Sequence, residues 1–122
     1  FLSEAGVFFF ATVDGDKPRV RPFGFKMVYQ DKLFFGIGKS KQSYKQLQTN
    51  PEVEVCACKG PAWIRIKGVA KFVEDAAASE EAYKVLPSLA KLYPNKADFG
   101  LLYLDNLDVE IADMQGGFEK VF

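Results

Sequence analysis

Three aromatic, β-branched runs follow one another with almost nothing between them, and this most restricts what the chain can fold into. Gly6 to Val13 reads as a buried strand. Asp14-Gly15-Asp16-Lys17-Pro18 follows with a strong hairpin signal, and Arg19 to Tyr29 then reads as a second, long strand. Gln30-Asp31-Lys32 makes another tight turn into a third strand, Leu33 to Ile37. Strands joined this closely must pair antiparallel, because a parallel crossover needs a dozen or more residues.

The rest of the chain extends that pattern. A helix runs from a Ser40 cap, with Tyr44 and Leu47 on one face, to a stop at Asn50-Pro51. Val53 to Cys58 and Trp63 to Val73 are strands around a Gly60-Pro61 turn, and Ala76 to Leu86 is a helix, with another helical turn or two across Ser88 to Tyr93. Leu101 to Leu104 and Val109 to Asp113 are strand material, and Phe118 to Phe122 a last short strand. The expectation is a single domain over residues 1–122, mainly β with flanking helices: a six-stranded antiparallel barrel with the helices outside. Pro22 cannot donate to a ladder, so the second strand should bend there.

The 122 residues include 18 aromatics, too many for a disordered chain. The longest apolar run, Val7 to Val13, falls far short of the ~20 residues of a membrane-spanning helix. No histidine occurs, which removes His-ligated metals and every Ser-His or Cys-His pair. No metal site is expected. Cys56 and Cys58 share one strand face without further ligands, and read as small core residues. The sequence opens inside an apolar segment without a Met, so a few residues are expected before Phe1. With no signal-peptide pattern and two thiols expected to be free, the expected location is cytoplasmic.

Net charge is zero, but unevenly spread. Between Lys17 and Lys71 twelve Lys or Arg stand against three acids, and the remainder carries four against thirteen. A basic middle of this strength attracts an anion, unless the acidic segments fold back and neutralise it.

Three segments could use that charge. Gly36-Ile37-Gly38-Lys39-Ser40-Lys41 leaves a strand and enters a helix, where glycines admit a close ligand and unpaired N–H groups favour phosphate. Gly38-Lys39-Ser40 matches the end of a nucleotide P-loop, but Leu33 stands where that motif needs its first Gly, and the sheet is antiparallel. An ordinary capped helix is the plain alternative. Arg19 and Arg21 share one strand face, either as a solvated hairpin face or as half of a dianion site. Trp63 shares a face with Arg65 and Lys67, suited to stacking on a planar ring or to a barrel rim.

Taken in order, Gly6 to Thr12, Pro18 to Gly24, the basic turn, Tyr44 to Pro51 and Trp63 to Gly68 resemble the pyridoxamine 5'-phosphate oxidase-like family of FMN-binding split barrels. The likeness is nearest to the short bacterial members grouped with nitroimidazole-resistance proteins, and it is clear from Gly6 to Glu74. It implies a homodimer with FMN at the subunit interface. It implies phosphate ligands at Arg19, Arg21, Ser40, Lys41 and Gln42, and contact with the flavin ring from backbone of Val20 to Pro22 and of Gly36, Ile37 and Gly38. Ala62-Trp63 replaces the oxidase's Arg-Gln pair, which puts Trp63 near the flavin. The oxidase's C-terminal Trp and Arg substrate elements have no counterpart before Phe122, so pyridoxamine phosphate oxidation itself is not expected.

The implied function is an FMN-dependent oxidoreductase that moves hydride or electrons between a reduced nicotinamide and a small planar or electron-poor substrate. The alternative is a non-catalytic flavin-binding or sensing module. No side chain stands out as a general acid or base, with Lys26, Tyr29 and Tyr44 the only loose candidates. Nucleic acid is not an expected partner, because the aromatic runs belong in a core.

Overall fold

The computed structural model describes residues 1–121. Strands β1 (Phe8–Asp14), β2 (Lys17–Phe23), β3 (Lys26–Tyr29), β4 (Lys32–Gly38), β5 (Glu52–Lys59), β6 (Ala62–Val73), β7 (Phe99–Asp113) and β8 (Phe118–Lys120) form one antiparallel sheet. Helices α1 (Leu2–Ala5), α2 (Gln42–Thr49), α3 (Ala76–Val85) and α4 (Leu89–Leu92), with a 3-10 turn over Lys96–Asp98, complete the chain. Among the described residues, no helix is long and apolar enough to cross a membrane.

The expected count of six strands is corrected to eight. The Arg19 to Tyr29 strand divides into β2 and β3, and the two segments expected after Leu101 are one continuous strand, β7. β8 pairs along β7, and Phe122, included in the expected last strand, lies outside the described residues. The break falls at Gly24-Phe25, two residues beyond Pro22, which keeps its ladder position opposite Phe9. That is possible because β2 is an edge strand, where a missing N–H need not cost a bond.

The order β2-β1-β5-β6-β7-β4-β3 puts β2 and β3 at opposite edges of the sheet. Only two residues join them, so the sheet must curl and bring one end of each edge strand close to the other. No ladder links β2 to β3 among the described residues, and the roll is not closed. Local chemistry fixes the register. Gly15 takes the left-handed conformation in the first hairpin, and Gln30 and Asp31 both take it in the second, as a two-residue turn matched to strand twist requires. A register shift at Gly68 bends β6 against β7.

Two cores form on opposite sides of β4 and β7. Phe8, Phe10 and Phe35 are fully buried inside the roll, Phe35 packing 5.3 Å from each of the other two rings, and Phe23 stacks on Phe10 at 4.6 Å. Phe34, Phe99 and Leu101 face the other way and bury against Ala78, Ala82 and Leu89 of α3 and α4. Alternation across these strands therefore serves two apolar layers, which explains the unbroken runs Phe34-Phe35 and Leu101-Leu102. α3 starts where Asp75 accepts from the N–H groups of Ala77 and Ala78.

Two local expectations change. Lys41, not Ser40, is the N-cap of α2, and no side chain caps it. The Gly38 carbonyl accepts from the Lys41 N–H, so the turn is closed by backbone and Ser40 is left exposed within it. Cys56 and Cys58 do share a face, but it is the outer one: Cys56 is half-buried and Cys58 exposed. Burial pushes the Cys56 thiol up, with the neighbouring Cys58 adding to it.

Gly36 shows how tightly the second core is drawn. A Cβ there would overlap the Phe99 ring, which packs 5.9, 5.7 and 5.3 Å from Phe25, Tyr83 and Tyr93. Gly36→Ala should cost about 1–3 kcal/mol in chemical denaturation. Gly24→Ala, with open space around the added carbon, should leave the midpoint unchanged.

Candidate functional site

A cavity of about 650 Å³ opens where the end of β2, the end of β4, the start of α2 and the α4 segment meet. Its polar side holds Arg21, Lys41 and Ser43. Pro22 to Gly24 and Gly36 to Gly38 line it from the two strand ends. Leu86, Leu89, Leu92 and Tyr93 wall it opposite, with Phe25 and Phe99 between.

Arg21 is held rather than loose. Its Nη1 donates to Thr12 Oγ1 at 2.9 Å and its Nη2 to Gln46 Oε1 at 3.1 Å. Thr12 Oγ1 in turn donates to Gln46 Oε1 at 2.7 Å. Thr12 points into the roll from β1 and Gln46 from the inner face of α2, and both are buried.

Four of the twelve basic residues between Lys17 and Lys71 take acidic partners among the described residues. Arg19 pairs with Asp14, Lys39 with Glu74, Lys59 with Glu4, and Arg65 with both Glu54 and Glu110. Neutralisation by the acidic segments is real for these. Among the described residues, no carboxylate lies within ion-pair distance of Arg21 or Lys41. Both residues line the cavity, and Lys41 opens α2, whose first N–H groups lack helical partners.

The structure brings Arg21, Pro22, Gly36, Ile37, Gly38 and Lys41 together on this cavity. Ser40 and Gln42 flank Lys41 and are exposed. Val20 points to the opposite face of β2 from Arg21, and Arg19 is engaged with Asp14. Trp63 lies opposite Cys58 on the outer face of β6, and does not line the cavity. Nor do Lys26, Tyr29 and Tyr44.

Ser43 and the α4 wall escaped the sequence reading. Ser43 sits one residue into α2 and is 3% exposed, a burial that an isolated polar Ser does not advertise. Tyr93 reaches the cavity from 55 residues beyond Gly38, and a Cβ at Gly38 would stand 3.0 Å from its hydroxyl. That glycine is needed to admit the ring. Tyr83 donates to the Tyr93 carbonyl at 2.9 Å and fixes the segment. Burial raises the Tyr83 phenol, and Tyr93 and Asp98 add to the effect. Among the described residues, no cluster of His, Cys, Asp or Glu is placed to hold a metal ion.

The chain is a small β protein with a rolled, unclosed antiparallel sheet and with Arg21 and Lys41 on a cavity at its strand-to-helix turn. The family model for pyridoxamine 5'-phosphate oxidase matches residues 1–111, and the chain belongs to that family. A NimC/NimA family protein of Clostridium acetobutylicum is 35% identical, with a TM-score of 0.92 over 98% of this chain and 85% of that one. A pyridoxamine 5'-phosphate oxidase-related, FMN-binding protein of Nostoc punctiforme shares the fold at 20% identity and a TM-score of 0.77, covering 97% of this chain and 87% of that one. A heme-binding protein of Mycobacterium smegmatis shares it at 18% identity and 0.75, over 98% of this chain and 57% of that one. No curated protein matches the sequence.

Proposed function

We propose that the chain is a single-domain FMN-binding flavoprotein that works as a homodimer and transfers hydride or electrons between a reduced nicotinamide and a small planar or electron-poor substrate. The observation that carries the flavin reading is the unpaired Arg21 and Lys41 at the mouth of a cavity with an apolar, aromatic wall. A phosphate monoester carries close to two negative charges at neutral pH, and two cations with a serine hydroxyl match it. The apolar wall suits a flat, largely apolar ring system. The donor set therefore fits FMN. Arg21, Lys41 and Ser43 would hold its phosphate, and strand backbone from Pro22 to Gly24 and Gly36 to Gly38 would border the ring.

FMN, when bound, supplies the redox chemistry. The chain's own residues bind, orient and shield. Leu86 and Leu89 give one side of the cavity an apolar surface, and backbone N–H groups of the strand ends favour negative charge placed beside them. A heme reading draws less support, because the chain has no histidine to serve as an axial ligand.

Dimerisation is supported by the outer face of β1, β2, β5 and β6. Cross-strand pairs put Phe9, Val20 and Trp63 on this one face, with Phe9 49% and Val20 67% exposed. A second copy would bury them.

The test is an absorbance spectrum through the near-ultraviolet and visible on purified protein, repeated after FMN loading and desalting, with light scattering on the same sample. Retained flavin bands on a dimer are expected. A monomer with freely removable FMN would overturn the proposal. Retained flavin that no reduced nicotinamide reduces would leave the non-catalytic, sensing reading in its place.

A further inference from the structure

We propose that Gln46 and Thr12 are positioning residues that set the cavity's preference for a phosphate monoester, by fixing Arg21 through neutral acceptors that leave its charge unspent. The inference rests on the flavin reading in naming FMN's phosphate as the anion.

The geometry is a closed triangle. Gln46 Oε1 accepts from Thr12 Oγ1 and from Arg21 Nη2, and Thr12 Oγ1 accepts from Arg21 Nη1. Each acceptor is held by the other, at 2% exposure for Thr12 and 8% for Gln46. Thr12 continues an inward row that is otherwise Phe8 and Phe10, so two polar side chains are buried at the edge of an aromatic core. Such groups are costly unless fully satisfied, and here each satisfies the other while both face the guanidinium.

The charge state of the clamp matters as much as its shape. An Arg oriented by a carboxylate has spent its charge before a ligand arrives. A glutamate at position 46 could reach the same nitrogen, yet the chain has the uncharged amide of the same shape. The guanidinium is thereby pre-ordered, so little side-chain entropy is lost on binding, and its remaining donors keep full attraction for an anion. With Lys41 lining the same cavity, two positive charges favour a dianion over a neutral ligand of the same ring shape.

FMN and riboflavin differ by that dianion, so the ratio of their affinities reads the clamp. Dissociation constants for both would be measured by flavin fluorescence on the unaltered chain, Gln46→Glu and Thr12→Val, with circular dichroism to confirm folding. Gln46→Glu is expected to weaken FMN by about tenfold to a hundredfold and to leave riboflavin unchanged. Thr12→Val should act in the same direction by about threefold to tenfold. Equal losses for the two flavins, or none for either, would overturn the inference and leave positions 12 and 46 as core packing. Should Gln46→Glu misfold, Thr12→Val decides alone by the same ratio. If the unaltered chain binds neither flavin, the flavin reading fails by itself. Inorganic phosphate, followed by phosphorus NMR, then decides the clamp: weaker binding in Gln46→Glu supports it, and equal or absent binding overturns it.

Discussion

Arg21→Ala is expected to abolish flavin retention through a desalting column while leaving the protein folded. The two outcomes separate because Arg21 stands at the junction of a structural and a ligand-facing arrangement. Its charge-assisted bonds to a phosphate are worth about 1.5–3 kcal/mol each, so losing the side chain should weaken FMN by about a hundredfold or more. Internally, Thr12 Oγ1 keeps its bond to Gln46 Oε1 when the guanidinium is gone. What is left behind are acceptors short of a donor, which cost less than a buried N–H without a partner. Thermal unfolding should therefore shift by only a few degrees. Lys41→Ala should act more weakly, by about fivefold to tenfold at low ionic strength, and its effect should fade with added salt because the side chain is exposed. An Arg21→Ala protein that still holds its flavin after desalting would show that the phosphate lies elsewhere.

Much of this arrangement was legible before the fold was known, and the reasons are local. The Gly15 and Gln30-Asp31 turns set short-range pairing, and period-two alternation correctly assigned Arg21 and Phe23 to one side of β2 and Val20 and Pro22 to the other. The strand-to-helix turn carried its glycines and lysines in a contiguous stretch. What stayed hidden needed the chain to return on itself. Arg21 and Gln46 are 25 residues apart, and nothing in the α2 sequence marks Gln46 as more than another polar helical residue. Ser88 to Tyr93 read only as a helical turn or two, with no sign of which surface they would cover. Trp63 was drawn toward the flavin by the resemblance, whereas the pairing Cys58 to Trp63 and Trp63 to Ala112 turns it to the outer face. In the proposed dimer that face meets the second copy, so the relation of Trp63 to a bound ring would be set by the dimer and not by one chain.

The charge pattern carries a similar lesson. A surplus on one stretch of sequence could be read as a binding surface or as half of a neutral whole. The structure divides it residue by residue: Arg19, Lys39, Lys59 and Arg65 take acidic partners, while Arg21 and Lys41 reach the cavity without one. Exposed pairs of this kind contribute little to stability, so the pairing matters chiefly for what it leaves unpaired.

Phe35→Ala should produce the largest loss of stability, about 3–5 kcal/mol, read as a fall of roughly 10–20 °C in the thermal midpoint. Phe35 is fully buried, and its ring meets Phe8 and Phe10 at 5.3 Å each, so truncation opens a cavity that β1 and β4 would have to collapse to fill. A loss of that size is a large part of the ~5–15 kcal/mol that a domain of this length commands. Phe9, one residue from both of those partners but on the outer face, gives the contrast. Its truncation should cost a single chain less than about 1 kcal/mol. Any larger, concentration-dependent loss at Phe9 would report burial against a second copy. The flavin readout sharpens the comparison. Phe35 precedes Gly36 to Gly38 on β4, so its truncation should release flavin only as the fold melts, with both signals moving together on a temperature ramp. Arg21→Ala should separate them, losing the flavin at temperatures where the sheet is intact. Flavin lost from Phe35→Ala well below its midpoint would mean that the strand end depends on the core behind it more tightly than the backbone ladder to β7 implies.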